Sequence, residues 1–128
     1  MKRFIFAPVL ALCLLLCSCS QSGQTTGYVS ISQEKAKQLI DSGDCIILDV
    51  RTPEEYNEGH IPGAVLIPDY DIKTKAEQIL TDKDALILVY CRSGRRSKNA
   101  ARELAALGYT NVKEFGGIID WPYEVEKP

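Results

Sequence analysis

From Tyr28 onward, short unbroken apolar runs alternate with stretches of helical spacing, and this alternation narrows the possible folds more than any other feature. Cys45-Ile46-Ile47-Leu48 and Ala85–Tyr90 are continuous apolar runs of strand length. Such runs suit strands covered on both faces. Ala64–Ile67 and Asn111–Phe115 read as two further short strands, and Gly116-Gly117 then turns the chain. Between these runs lie helix signals. Ser32 is placed as an N-cap, with Ile31 and Ala36 positioned as a hydrophobic staple. Ala36, Leu39 and Ile40 then form an apolar stripe that ends at Ser42-Gly43. Thr52-Pro53-Glu54-Glu55 is a capping box with proline at the first helical position, and Gly59 stops that short helix. Ile72, Ala76, Ile79 and Leu80 follow helical spacing, as do Ala100, Ala101, Leu104, Ala105 and Leu107 before Gly108. Strands alternating with helices predict an α/β domain built on a mainly parallel sheet with helices on both faces.

The chain has 128 residues, enough for one domain and too few for two. Its opening is of a different kind. Lys2 and Arg3 precede an apolar run from Phe4 to Leu16, interrupted by Pro8. That run is short for a bilayer span and has the layout of a secretory signal. Leu16-Cys17-Ser18-Cys19 resembles a bacterial lipobox, which makes residues 1–18 the expected signal peptide and Cys19 the lipidated residue. Cys17 is an uncommon occupant of the middle of such a box. As the lipidated residue Cys17 itself fits less well, because Leu16 is bulky for the small-residue position. Residues 19–27 then read as a lipidated N-terminus and flexible tether, and residues 28–128 as the domain. The expectation is a protein held by its lipid to a membrane of the bacterial envelope, facing the periplasm or the exterior.

Loss of residues 1–18 removes two positive charges and no acid, so the net charge moves from −2 to −4. An acidic domain of this kind excludes nucleic acid as a natural partner. Of five cysteines, Cys13 and Cys17 leave with the signal and Cys19 is acylated, so Cys45 and Cys91 remain in the domain. Cys45 begins its strand while Cys91 follows the end of another. Parallel strands of that length separate the two by roughly 15–20 Å, against the 7 Å or so that a disulfide allows between Cα atoms. Cys45 is therefore expected as a small buried hydrophobe.

Ligands of open parallel sheets bind beyond the carboxyl ends of the strands. Asp49-Val50-Arg51 and Cys91-Arg92-Ser93-Gly94-Arg95-Arg96 arrive at that edge, and Ser97 is expected to open the next helix. Unsatisfied N–H groups at a helix start, the charges of Arg92, Arg95 and Arg96, and the pliable backbone of Gly94 all favour a sulfur anion. The same concavity of amides suits a bound oxyanion. No pair of histidines or cluster of cysteines offers a metal site, and no cofactor is implied. His60, the one histidine, is expected to be structural, and Trp121 to close the domain by packing.

These residues resemble the rhodanese family of sulfurtransferases. Leu48-Asp49-Val50-Arg51-Thr52-Pro53-Glu54-Glu55-Tyr56 with Gly59-His60-Ile61-Pro62-Gly63-Ala64 resembles the family's first signature. Gly116-Gly117-Ile118-Ile119-Asp120-Trp121 resembles its last, and the Cys91 loop lies between them. The resemblance runs from about Tyr28 to Trp121. It implies a five-stranded sheet and Cys91 as a sulfur carrier. It also implies that Arg92, Ser93, Gly94, Arg95, Arg96 and Ser97 cradle the sulfur and its donor. Asp49 and Arg51 take a supporting role through charge pairing.

The expected reaction moves a sulfane sulfur from thiosulfate or a persulfide to Cys91, and from there to cyanide or a thiol. Neither half needs a general base once the thiolate exists. The expected partners are therefore a small anionic sulfur donor and a thiophilic acceptor, met by a monomer. A non-catalytic binding module and a redox protein for envelope thiols are the competing readings. Phosphatases and arsenate reductases of related fold place five residues between cysteine and arginine. Here four lie between Cys91 and Arg96, a cradle suited to sulfur and tight for phosphate.

Overall fold

In a computed structural model, residues 27–128 are described. The expected signal peptide, the Cys19 lipidation site, the Cys17 alternative and most of the tether lie outside these residues. Five strands, β1 (Val29–Ser30), β2 (Ile46–Asp49), β3 (Val65–Leu66), β4 (Ile87–Cys91) and β5 (Val112–Gly117), alternate with helices α1 (Gln33–Ser42), α2 (Pro53–Glu58), α3 (Ile72–Ile79) and α4 (Arg95–Ala106). The sheet order is β1-β5-β4-β2-β3, and every pairing is parallel.

Side-chain alternation along the strands sorts the interior into two layers. Leu48, Val50, Ile87, Val89, Cys91 and Val112 face α3 and α4, where Ile72, Ala76, Ala100, Ala101 and Leu104 cover them. Ile47, Leu88, Tyr90 and Phe115 face the other way and pack with Ala36 of α1, Ile61, Ala64 and Trp121. The predicted helix starts hold. Ser32 Oγ accepts from Lys35 N, and Thr52 and Glu55 complete a reciprocal capping box.

Each long strand lies further towards its carboxyl end than its apolar run suggests. Asp49 closes β2, Cys91 closes β4, and Gly116-Gly117 extend β5 instead of turning the chain. Ladder hydrogen bonds belong to the backbone, so a polar side chain or a glycine does not end a strand. The start of α4 is likewise earlier than expected. Gly94 is its N-cap and Arg95 its first residue, which puts Ser97 inside the first turn. Gly27, assigned to the tether, sits against α4 so closely that a Cβ there would lie 2.6 Å from Ala105 Cβ. Cys45 precedes β2, is half-buried rather than buried, and is a free thiol, its Sγ donating to Leu39 O at 3.6 Å. Burial raises the pKa of that thiol, and the charge of Asp44 adds to the effect. The register from Ile46↔Ile87 to Asp49↔Tyr90 sets Cys45 and Cys91 at opposite ends of neighbouring strands.

Candidate active site

Because Cys91 is the last residue of β4, the ladder holds its Cα while its side chain enters the first turn of α4. Gly94 N donates to Cys91 Sγ at 3.0 Å, and Cys91 Sγ donates to Ser97 Oγ at 3.4 Å. Only 1% of Cys91 is exposed. Gly94 takes φ +109, a left-handed conformation open to glycine, and this turns its N–H back onto the sulfur. Between Val89↔Glu114 and Cys91↔Gly117 the register slips, so β5 carries one extra residue beside the thiol, a bulge of the kind common at functional sites. Gly117 is where the Cys91 loop crosses β5. A Cβ at Gly117 would lie 1.9 Å from Arg92 O and 2.5 Å from Ser93 N, so no other residue fits without moving the loop.

Behind the sulfur lies a residue that the sequence argument passed over. Glu114 of β5 is 2% exposed, and its Oε1 accepts from Ser97 Oγ at 2.8 Å and from Gly116 N at 2.7 Å. Its Oε2 accepts from Ser30 Oγ at 3.2 Å. Among the described residues no cation lies within ion-pair distance of Glu114, unlike the carboxylates of Asp49 and Glu55. The signal that points to Glu114 is strand parity. Val112 faces the core, and the residue two along shares its face.

Asp49 and Arg51 come together but do not touch Cys91. Arg51 Nη2 and Nε reach the Asp49 carboxylate at 2.7 and 3.1 Å, Nη2 donates to Gly59 O at 2.7 Å, and both side chains are buried. Tyr90 OH donates to Asp49 Oδ2 at 2.6 Å and accepts from Ile61 N at 3.0 Å. Burial works to lower the Arg51 pKa, but the hydrogen bond and charge of Asp49 outweigh it and hold the guanidinium protonated. Burial and then the charge of Asp49 push the Tyr90 hydroxyl upward. This set ties β2, β4 and the chain after α2 into one block.

The loop arginines are not equivalent. Arg96 makes a two-contact pair with Glu55, at 2.7 Å to Oε1 and 3.0 Å to Oε2. That hydrogen bond is the main reason the Glu55 carboxyl is lowered to about 2. Arg92 and Arg95 are exposed and stand at the mouth of the loop. Ser93 is exposed too, while Ser97 is fully buried. An open cleft of about 470 Å³ runs beside the loop, lined by Ser32, Gln33, Ser93, Lys98, Glu114 and Asp120 among others. His60 stacks on Tyr56 at 3.7 Å between ring centroids, its Nδ1 lies 2.9 Å from Tyr56 O and its Nε2 faces Glu126 at 3.3 Å. It is structural. Trp121 packs on Phe115 and donates Nε1–H to Glu124 O.

A buried thiol at the carboxyl end of a parallel strand, with a loop amide on its sulfur and three arginines in the same loop, can hold a sulfur anion. Comparison with known proteins agrees with that chemistry. The chain is 40% identical over 73 residues to the thiosulfate sulfurtransferase PspE of Escherichia coli (strain K12), covering 57% of this chain and 70% of that one. It is 38% identical over 91 residues to a sulfurtransferase of Allochromatium vinosum, covering 70% and 83% of the two chains. A solved rhodanese with anions from E. coli superposes with a TM-score of 0.61 at 36% identity, covering 65% of this chain and 98% of that one. The family profile described as rhodanese-like domain matches residues 32–122. With that match over most of its length, this chain belongs to the rhodanese-like domain family.

Proposed function

We propose that Cys91 is the sulfur carrier of this protein, alternating between thiolate and persulfide. The protein is a sulfurtransferase of the rhodanese kind, as its thiosulfate sulfurtransferase relatives are named. The observation that carries the role of Cys91 is the Gly94 N–H donating to its sulfur at 3.0 Å inside a loop of cations.

In the first half-reaction the Cys91 thiolate attacks the outer sulfur of thiosulfate. A new S–S bond forms, the donor's own S–S bond breaks with its electron pair, and sulfite leaves. Total charge is unchanged. In the second, cyanide or a thiolate attacks the outer sulfur of Cys91–S–S⁻, takes it away, and returns the Cys91 thiolate. Arg92 and Arg95 draw in the anionic donor and stabilise the departing anion. Ser93, Gly94 and Ser97 shape the cradle, and Arg96 acts mainly through its hold on Glu55. Asp49 and Arg51 support the site by fixing the neighbouring strand ends.

The test is the intact mass of the protein after exposure to thiosulfate. The parent gains the mass of one sulfur and loses it to cyanide, and Cys91→Ala gains none. A folded parent with a free thiol that gains no sulfur from thiosulfate or from a persulfide donor overturns the reading.

For the whole protein, the leader motif supports lipidation at Cys19 and attachment to the envelope membrane, with the domain working as a monomer. Cell fractionation of a Cys19→Ala variant tests the anchor: the protein leaves the membrane fraction if Cys19 holds it there, and stays if it does not.

A further inference from the structure

We propose that Glu114 stores the proton of Cys91, acting through Ser97. The inference deepens the sulfur-carrier reading and rests on it for its place in turnover. Sγ, Oγ and Oε1 stand in series, at 3.4 and 2.8 Å. All three side chains are at most 2% exposed. The 2.8 Å separation of Oγ and Oε1 is a hydrogen-bond length, with Ser97 Oγ the donor. The chain therefore carries two protons for its two bonds, as thiol, hydroxyl and carboxylate.

Ionisation of Cys91 keeps both bonds only if both protons move one step. The S–H proton passes to Ser97 Oγ, and the Ser97 proton passes to Glu114 Oε1. The products are a thiolate, a hydroxyl now donating to it, and a carboxylic acid donating to Ser97. No proton enters or leaves, and the number of bonds is unchanged. With Gly94 N–H the thiolate then has two donors. If Glu114 stayed ionised, the single Ser97 proton would have two anions to serve. Ser97 Oγ also lies 2.9 Å from Gly94 O and 3.4 Å from Gly116 O, and a proton turned that way still leaves the short contact with Oε1 to be filled from Glu114.

The surroundings allow Glu114 this role. Gly116 N and Ser30 Oγ, its other partners, are neutral. The charged groups facing it across the adjoining cleft are Lys98 of α4 and Asp120. Of the other charged groups near the site, Asp49 pairs with Arg51, Glu55 with Arg96, and His60 with Tyr56 and Glu126, while Arg96 interacts by charge with both Cys91 and Asp69. Glu114 acts on Cys91 through Ser97, so it is a positioning residue that also holds the proton during turnover.

The measurement is the rate at which iodoacetamide alkylates Cys91 as a function of pH, resolved by peptide mass. In the parent, thiol with carboxylate and thiolate with carboxylic acid hold the same number of protons. Their ratio is independent of pH until the pair loses its last proton, so the rate is flat through the mildly acidic range. Glu114→Gln keeps the shape but takes no proton, and its rate climbs about tenfold per pH unit over the same range. Ser97→Ala climbs in the same way, and the double variant no more steeply, which keeps the test open if Glu114→Gln fails to fold. An infrared carbonyl band of a carboxylic acid appears in sulfur-loaded parent and is missing from Glu114→Gln. A parent that itself climbs tenfold per unit, variants that keep a flat profile, or a loaded parent without the band each overturn the proposal. Alkylation needs no sulfur donor, so the profile decides the role of Glu114 even if Cys91 never takes up sulfur.

Discussion

Two buried carboxylates flank the central strand β4, and they are managed in opposite ways. Asp49, at the end of β2, faces a guanidinium on two nitrogens and a tyrosine hydroxyl. Glu114, in β5, meets two serine hydroxyls and one amide. A buried anion held by a cation is a structural element, since loss of the cation strands the charge. A buried carboxyl held by neutral hydroxyls can change its proton without unmaking its surroundings. The sheet is thus braced on one side of Cys91 and left chemically free on the other.

That contrast breaks most visibly at Arg51. Arg51→Ala leaves Asp49 buried and unpaired, and is expected to cost about 3–5 kcal/mol in urea unfolding. Glu114→Gln, which removes a charge with no partner cation, is expected to change stability by no more than about 1 kcal/mol. Comparable losses for the two would end the distinction. Tyr90→Phe removes two hydrogen bonds from the braced side and should cost about 1–2 kcal/mol, while sulfur loading of the folded fraction stays near the parental rate.

Glu55 sharpens the comparison through pH. Its carboxyl is lowered to about 2 in the folded protein, so the Arg96 pair stabilises the fold fully above the ordinary carboxylate range. The contribution fades as pH falls towards 2. With solvent screening at a quarter-exposed pair, Glu55→Gln should cost about 1–2 kcal/mol at pH 7 and nothing near pH 2. A cost that does not shrink on acidification counts against the pair. The smallest effect on stability is expected at Arg92. Arg92→Ala should leave unfolding within about 0.5 kcal/mol and raise the KM for thiosulfate about tenfold, the loss of one charge-assisted contact. An unchanged KM removes Arg92 from donor binding.

Much of this was legible in the sequence. Apolar runs marked the strands, and the Ser32 and Thr52 caps marked the helix starts, because both signals are local. The thiol's position was legible too, since Cys91 directly follows the strongest run. Strand ends were not, because Asp49 and Cys91 join the ladder through backbone groups that no side chain reports. Ser97 was misplaced at the start of α4 for a similar reason: Gly94 caps that helix by backbone conformation alone. Glu114 was missed because a glutamate in a short strand reads as solvent-facing, and its burial depends on Ser30 and Ser97, which lie far away in the chain. The uneven status of the loop arginines was hidden in the same way. Only the fold shows that Glu55 claims Arg96.

The strand order also sets a timetable. β5 lies between β1 and β4, pairing with Val29 and Ser30 on one side and with Ile87 to Cys91 on the other. The first strand thus has no partner until the last is made, and the Glu114 wall of the thiol site is among the last parts of the domain to be synthesised. A chain still growing, or clipped before Glu114, already has Cys91 but lacks the wall behind it. Pairing between the two ends of a sequence also carries the largest loop-closure cost. The thiol site is therefore complete only once β5 has been made and paired, an order written into topology rather than into any single residue.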